Sequence, residues 1–506
     1  MSAVAGERPL SVGPVVATVV PAKPTTWLFV LLAATLFYFY PGGDPNQASR
    51  LLAIEAMARD GRPDITLEHS RTVDKGEVGG RYFSDKAPGI ALLGAPLYAA
   101  LRAAEGAARV DSKARVVARV RLHALVFLLS SLPATLTGFA LASLLRRLGT
   151  GGLRADLLGV SLVLGTLLFP YGTTLFGHAL AALLLFLAFS LVARCELDGR
   201  MPMPRGAATA LGALLSSGVV VEYPVALPAC ILGVYVLARG GLVHAGPTAM
   251  AMATGGAAPL ALHAAYSYWA FGSPLALPYR YVVEPIFRAH STAGVFGMGA
   301  PSLTAAYGAL LSSYRGLAFY CPMTVLVFAG LGAWLSSGKH LRVLSLSAAL
   351  LAVGVLASVS YYAWDGGYGV GPRHLVPMCP FFVLPLGFLV ERGRAWRMIT
   401  AALAAGGILA MLAVVVTDMH LPQEDTWRSN PLYAYVVPRL LRGELNSGVD
   451  DAIRIGPSGD AAFNVGSLLG LGPWTAVVVP VAAWCLAALW LLRASVGRGS
   501  RLEPSR

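Results

Sequence analysis

The stretch FYFYPGGDPNQASRLL, residues 37–52, leads the chain out of an apolar segment and into a polar one. An aromatic run ends at Pro41, two glycines follow, and the first acid beyond them is Asp44. Asp-Pro-Asn-Gln is typical of a helix start, with the acid as N-cap, proline at the first helical position and glutamine three residues after the cap. Residues 25–41 are mostly apolar and are long enough to cross a membrane. The pattern therefore predicts that Asp44 lies at the end of the first membrane helix.

The composition indicates a membrane protein. Of the 506 residues, 56% are hydrophobic and 13% charged, and the mean hydropathy is +0.64. These values fit no soluble globular class, so we predict an all-α polytopic membrane protein. The formal net charge of +13 is spread between hydrophobic segments rather than gathered in a patch, which argues against a nucleic-acid partner. The five cysteines are scattered, so they indicate neither a disulfide framework nor a metal site.

Hydropathy predicts about twelve transmembrane helices. The short basic connections fall on alternate turns, so they all lie on one side if the N-terminus is cytoplasmic. Both ends of the chain are then cytoplasmic, and the long loops lie outside. The predicted spans are near residues 25–41, 122–145, 153–170, 174–194, 206–222, 225–239, 248–271, 316–336, 343–363, 373–391, 397–417 and 474–493.

The first outer loop has a feature of its own. The apolar stretch 87–104 contains two prolines and a glycine, and counting it as a span would invert every later loop. We predict instead two helices on the outer face, at about 45–59 and 90–104. The predicted organisation is a cytoplasmic tail (1–24), a transmembrane domain (25–417, with the first outer loop at 42–121), an outer loop (418–473), and a last membrane helix with a cytoplasmic tail (474–506).

Ionisable side chains are scarce inside the predicted spans. His178, His263 and Glu222 are the main ones, and Glu222 lies at a helix end. Carriers coupled to protons or ions place such residues near the middle of the bilayer, so their scarcity disfavours that class. The charged residues concentrate in the first outer loop and in the turn at 365–374. The sequence therefore predicts a site at the outer membrane surface.

Two residues of the first outer loop are candidates for chemistry. Asp44 is either a helix cap alone or also a general base, and the two roles are compatible because a cap fixes the carboxylate in place. Lys86, in GGRYFSDKAPGIALL (79–93), is either a cation that neutralises a lipid phosphate or an interfacial lysine that reaches the headgroups.

A third candidate element is YYAWDGGYGVGPRHLVP, residues 361–377. Its glycines allow the backbone to approach a ligand, and Arg373 can hold a phosphate through two hydrogen bonds. The alternative is an ordinary outer loop with interfacial aromatic residues. LPYRYVVEP (277–285) is a weaker version of the same pattern. The further candidates for substrate binding are Tyr82, Asp85, His178, Glu222, Tyr279, Arg280, Asp365, Tyr368 and His374, and we predict no metal site.

With these residues the chain resembles the GT-C superfamily of polyprenol-linked sugar transferases. The resemblance is greatest to the branch that holds protein O-mannosyltransferases and lipid A aminoarabinose transferases, and it covers roughly residues 25–420. It rests on an acid just after the first span, on the RYFSDKAPG element before a surface helix, and on the WDGG…GPRH turn. The Tyr-x-x-x-Lys-x-Pro pattern is moderately specific in that location, and the three elements together are more specific than any one of them.

The resemblance implies a fold of many helices and a multi-pass enzyme in the bacterial cytoplasmic membrane, with its active site on the outer, periplasmic face. It implies an inverting transfer of sugar from a polyprenyl-phosphate donor to a lipid, glycan or protein acceptor, with membrane lipid as surroundings and no certain cofactor. By the same resemblance Asp44 would be the general base. Lys86 and Arg373 would hold the donor phosphate.

The chain also departs from the pattern of its relatives. Many have Asp-Glu after the first span, where this chain has Asp44-Pro45; some have an acid near the position of His178 or a lysine near that of Glu222. No DxD motif is present, which disfavours an enzyme that uses sugar nucleotides. A carrier or lipid flippase without covalent chemistry, and a family member that only binds lipid, remain alternatives.

Overall fold

The protein is described by a computed structural model that covers residues 26–291, 294, 297–423, 429–446 and 462–499. The predicted tail 1–24 and the end of the C-terminal tail lie outside these residues. Within them the α-helices are α1 Thr26–Tyr38, α2 Pro45–Asp60, α3 Gly89–Ala107, α4 Arg115–Val126, α5 Leu132–Arg147, α6 Gly152–Leu164, α7 Leu168–Gly172, α8 His178–Leu197, α9 Arg205–Val221, α10 Ala226–Phe271, α11 Pro285–Ser291, α12 Leu303–Leu310, α13 Leu317–Tyr320, α14 Val327–Ser336, α15 Leu341–Ser360, α16 Cys379–Val383, α17 Leu386–Leu389, α18 Arg394–Val416, α19 Val437–Leu441, α20 Val465–Leu468 and α21 Pro473–Gly499.

Strands are few and short. β1 (Phe39–Tyr40) pairs antiparallel with β4 (Phe463–Asn464), and β2 (Lys75–Val78) forms a hairpin with β3 (Arg81–Ser84). Tighter 3-10 turns are found at His69–Arg71, Tyr223–Val225, Pro278–Tyr281, Pro322–Leu326 and Arg373–Met378, and π turns at Phe127–Ser131 and Leu432–Val436.

The all-α polytopic class predicted from the sequence is confirmed. Among the described residues, six helical stretches are long and apolar enough to cross a membrane, and several shorter apolar helices accompany them. The total of twelve spans stays a prediction. The six are Arg115–Arg147, His178–Leu197, Tyr223–Phe271, Leu341–Ser360, Arg394–Val416 and Pro473–Leu491.

The predicted helices at 225–239 and 248–271 both lie within α10. They are separated at Gly241, whose backbone angles (φ 68°, ψ 172°) are not helical. The sequence therefore predicted the number of helical segments correctly at this point. The break falls two residues after residue 239, where the first predicted helix ends, and the second segment begins earlier than predicted.

The two helices predicted in the first outer loop are present as α2 and α3, which pack against each other. Asp44 caps α2, Pro45 occupies its first turn, and Gly61 ends it in the left-handed conformation (φ 59°). The β2–β3 hairpin lies between the two helices in sequence. Its last strand leads directly to Lys86 and then into α3.

The core is made of long apolar helices in close contact. α5 packs along α6 and α8, and α9 along α10. Aromatic rings fill the space between α8 and α16: the ring centroids of Phe186 and Phe381 are 5.6 Å apart, and those of Phe189 and Phe381 are 5.1 Å apart. These helices support the loops in which the candidate site residues lie.

Candidate functional site at the loop face of the helices

Asp44 is fixed by the start of α2. It is buried, and its Oδ1 accepts a hydrogen bond from the Gln47 backbone N–H at 2.8 Å. The Gln47 side chain does not reach back to the cap residue. It donates to the Gly42 carbonyl at 3.3 Å and accepts from the Leu175 N–H at 2.9 Å. The Asp44 carboxylate therefore lies where α1, α2 and the loop before α8 meet. Oδ1 is the capping oxygen, and Oδ2 is not.

Lys86 is held between two carboxylates. Its Nζ lies 2.9 Å from Asp74 and 3.1 Å from Asp85. Burial alone would lower the pKa of Lys86, but the charges of Asp74 and Asp85 outweigh burial and raise the pKa above its ordinary value. Lys86 is therefore an ammonium ion at neutral pH.

Asp85 titrates differently from an ordinary aspartate. Its burial, reinforced by the negative charge of Asp74, raises its pKa to about 6 in spite of the Lys86 ammonium. A carboxyl group of this kind takes up a proton readily near neutral pH. Asp85 can therefore adjust the charge of its surroundings when another anion arrives.

Glu222 lies just after α9 and beside the same region. Its Oε1 accepts from Arg50 Nη2 at 2.8 Å and lies 3.5 Å from His178 Nδ1. Arg50 also donates to Asn46, one turn earlier in α2. Gly89 permits the start of α3 to lie against the end of α9, because a Cβ at this position would come within 2.7 Å of the Val221 Cα. The N-terminus of α3, and with it Lys86, thus approaches the end of α9.

Arg373 reaches the same region from a segment much later in the sequence. Its guanidinium carbon lies 5.6 Å from the centroid of the Phe176 ring, and so does that of Arg50. The neighbouring His374 ring lies 6.1 Å from that of His178 and 4.9 Å from that of Tyr361.

Longer-range electrostatic interactions join these groups into one cluster. Glu222 interacts with Arg50, Arg373 and Lys86 together. Arg373 in turn interacts with Asp44 and Asp74. We call this set the anion site: Asp44, Arg50, Asp74, Asp85, Lys86, Glu222 and Arg373.

The charges of the anion site are almost balanced. Three cations face four carboxylates, so the set carries one net negative charge when every group is ionised. Protonation of one carboxylate brings it to neutrality, and burial raises the pKa of two of them, Asp85 to about 6 and Glu222 above its ordinary value. Binding of an added anion is consequently favoured when Asp85 is protonated.

The other candidates divide into two groups. The Tyr279 ring lies 5.4 Å from that of Tyr223, and Tyr279 interacts electrostatically with Glu222 and Asp85, so it borders the anion site. The rest lie elsewhere: Tyr82 stacks on His69 at 3.8 Å, Asp365 accepts from the Gly367 N–H at 3.2 Å, and Arg280 and Tyr368 are exposed.

A cavity of about 440 Å³ opens beside Tyr361. The adjacent Tyr362 interacts electrostatically with Lys86, Asp85 and Asp74, so the cavity borders the anion site. Its described lining contains aromatic rings, hydroxyl groups and small residues, and it contains no Lys, Arg, Asp or Glu. The lining includes His290, Gly297, Ser302, Thr304, Ser360, Tyr361, Tyr362 and Trp364.

The sequence analysis missed Arg50, Asp74 as a partner of Lys86, and Phe176. Arg50 carries a usable signal, because a charged residue directly before the apolar run LLAI is costly to bury without a partner. Phe176 carries none, since it is one apolar residue among many.

The crystal structure of ArnT from Cupriavidus metallidurans, bound to undecaprenyl phosphate, is similar to this chain with a TM-score of 0.47 and 15% sequence identity. The similarity covers 83% of this chain and 71% of that one. No protein-family model matches the sequence, and no curated protein does.

Proposed function

We propose that the chain is an integral-membrane, inverting glycosyltransferase of the outer face of the bacterial cytoplasmic membrane. It would move a sugar from a polyprenyl-phosphate donor to a hydroxyl of an envelope acceptor. The observation that carries the proposal is the anion site, which joins a fixed carboxylate, Asp44, to the cations Lys86 and Arg373. The sequence motifs for a sugar transferase converge on the same residues.

Arg373 is the cation best placed to bind a phosphate. Lys86 is paired with two aspartates, and Arg50 with Glu222. Among the described residues no carboxylate lies within ion-pair distance of Arg373, and its buried Nε has no hydrogen-bond partner. A buried guanidinium with unused donors is unfavourable alone and becomes favourable when a phosphate accepts from it. Lys86 would add a second positive charge.

The proposed reaction needs one base and one stabilised leaving group. Asp44 Oδ2 takes the proton of the acceptor hydroxyl as its oxygen attacks the anomeric carbon of the sugar. The bond between that carbon and the phosphate oxygen breaks, and its electron pair leaves with the phosphate. Arg373 and Lys86 stabilise the charge that grows there. Attack from the face opposite the phosphate inverts the configuration at the anomeric carbon.

The cavity beside Tyr361 supplies room for a sugar. Its aromatic faces suit the C–H surface of a sugar ring, and its hydroxyl groups, such as Ser302 and Thr304, can bond sugar hydroxyls. Its uncharged lining favours a neutral group there, while the adjacent anion site takes the phosphate. This division of polarity is what a sugar joined to a phosphate requires.

The test uses purified full-length protein in lipid nanodiscs, with polyprenyl-phosphate sugars and an envelope extract as the acceptor. Wild-type protein should release polyprenyl phosphate, measured by mass spectrometry, and Arg373→Met should release at least about tenfold less, the scale of one lost charge-assisted hydrogen bond. Arg394→Met, which changes an exposed arginine that is no candidate for the site, is the matched control and should behave as wild type.

The same assay separates the transferase from the flippase alternative. A flippase reconstituted in vesicles would move intact donor across the bilayer and release no polyprenyl phosphate. That result would overturn the proposed function.

A further inference from the structure

Arg315 is a buried arginine whose guanidinium donates mainly to backbone carbonyls, and it also lies 4.6 Å from the centroid of the Tyr314 ring. Its side chain has no exposed surface, and among the described residues no carboxylate pairs with it. Nη1 donates to the Gly369 carbonyl at 2.9 Å, and Nη2 to the Gly367 carbonyl at 3.0 Å. Nη2 also lies 3.2 Å from the Leu421 carbonyl and 3.1 Å from that of Pro422. One guanidinium thus joins two segments of the chain.

The first of these segments is the loop between Asp365 and Arg373. Gly366, Gly367 and Gly371 have φ angles of 79°, 65° and 59°, a region that favours glycine, so the loop forms no regular hydrogen-bonded structure of its own. Its buried carbonyls need partners from elsewhere. Arg315 supplies two, and the Tyr171 hydroxyl supplies a third by donating to the Val370 carbonyl at 3.0 Å.

The loop ends at Arg373, one of the three cations of the anion site. Arg373 follows Gly371 by two residues, and its guanidinium is set over the Phe176 ring. A buried charge without a carboxylate partner is costly unless its hydrogen bonds are satisfied. Nη1 of Arg315 has its acceptor, the Gly369 carbonyl, only while the loop keeps its present path, so the cost of burying this donor without an acceptor holds the loop in that path.

We infer that Arg315 is a positioning residue for Arg373. It locks the loop at 365–373 to the segment at 421–422 and thereby holds the Arg373 guanidinium where a phosphate can bind. The affinity part of this inference rests on the proposed function, whereas the locking of the loop does not.

The experiment compares Arg315→Lys with wild type in full-length protein in nanodiscs. Lysine keeps the charge but lacks the planar fork that reaches both segments. Amide hydrogen exchange at residues 366–371 should become faster, and the affinity for undecaprenyl phosphate should fall about tenfold, because the phosphate-binding group is displaced. Arg146→Lys, which changes an ion pair with Asp156 in another part of the fold, is the matched control and should alter neither quantity.

A double-mutant cycle distinguishes positioning from general destabilisation. In an Arg373→Ala background, Arg315→Lys should cause no further loss of affinity, because the group it positions is absent. Additive losses, or unchanged exchange at 366–371, would overturn the inference. If Arg315→Lys does not fold, Tyr171→Phe removes one anchor of the same loop and takes its place in both measurements. If wild-type protein binds undecaprenyl phosphate no better than undecaprenol, the proposed function fails, and the exchange measurement still decides whether Arg315 locks the loop.

Discussion

Replacing Asp44 by asparagine separates its two roles. In the structure Oδ1 caps α2 by accepting from the Gln47 N–H, and we propose that Oδ2 accepts a proton from the acceptor. An asparagine side-chain oxygen can make the same capping bond, but an amide cannot act as a base. The fold should therefore survive while the chemistry fails.

The expected magnitudes follow from these two roles. Asparagine and aspartate cap helices about equally, whereas alanine costs about 1 kcal/mol. General-base assistance contributes roughly 10²–10⁴-fold to a rate, which is about 3–5 kcal/mol of activation free energy. Asp44→Asn should thus keep the melting temperature of wild type and lose two to four orders of magnitude in turnover. Asp44→Ala should lose the same turnover and also melt earlier.

The assay is release of polyprenyl phosphate by purified protein with saturating donor, accompanied by a thermal melt of each variant. Turnover of Asp44→Asn within about threefold of wild type would refute the reasoning, because that is far less than the effect of a lost base. Asp44 would then be only a cap, and the base would have to be sought at Asp74, Asp85 or Glu222.

Three further predictions test the anion site and the orientation of the chain. Lys86→Met should weaken undecaprenyl phosphate binding about 10–100-fold, as expected for a lost charge-assisted bond, while Lys75→Met on the hairpin that precedes Lys86 should not; equal losses, measured by titration in nanodiscs, would contradict the assignment. The pKa of Asp85 is raised to about 6, so its protonated form, which favours anion binding, is lost as the pH rises from 5 to 8. The affinity of wild-type protein for undecaprenyl phosphate should therefore fall over this range more steeply than that of Asp85→Asn, which controls for titration of the ligand itself. Parallel pH profiles would show that Asp85 is not coupled to binding. Cysteines at the exposed positions Leu67 and Gly338, in a background without native cysteines, should be labelled from the outer and the cytoplasmic side respectively, and the reverse pattern would overturn the orientation.

The local parts of this structure could be predicted from the sequence. The Asp-Pro-Asn-Gln pattern predicted both the cap and the first turn of α2, because capping depends on neighbouring residues only. Apolar runs predicted where helices lie, since burial in lipid or in the core requires them. The start of α3 was predicted within one residue.

Long-range pairings could not be predicted in the same way. Arg50 pairs with Glu222, which is 172 residues away, and the side chain of Gln47 bonds to Leu175 across 128 residues instead of returning to the cap. Such contacts depend on how the helices pack, which local patterns do not encode. The roles of Lys86 and Arg373 stay predictions, although the structure brings both residues to Glu222.

Mass spectrometry of envelope glycans tests the central claim most directly. The comparison is between cells that lack the gene and the same cells complemented with wild-type protein, with Asp44→Asn or with Arg394→Met. We predict that one sugar modification is lost on deletion, returns with wild type and with Arg394→Met, and stays absent with Asp44→Asn although that protein accumulates normally. Identical glycans in all four strains, or full restoration by Asp44→Asn, would contradict the account.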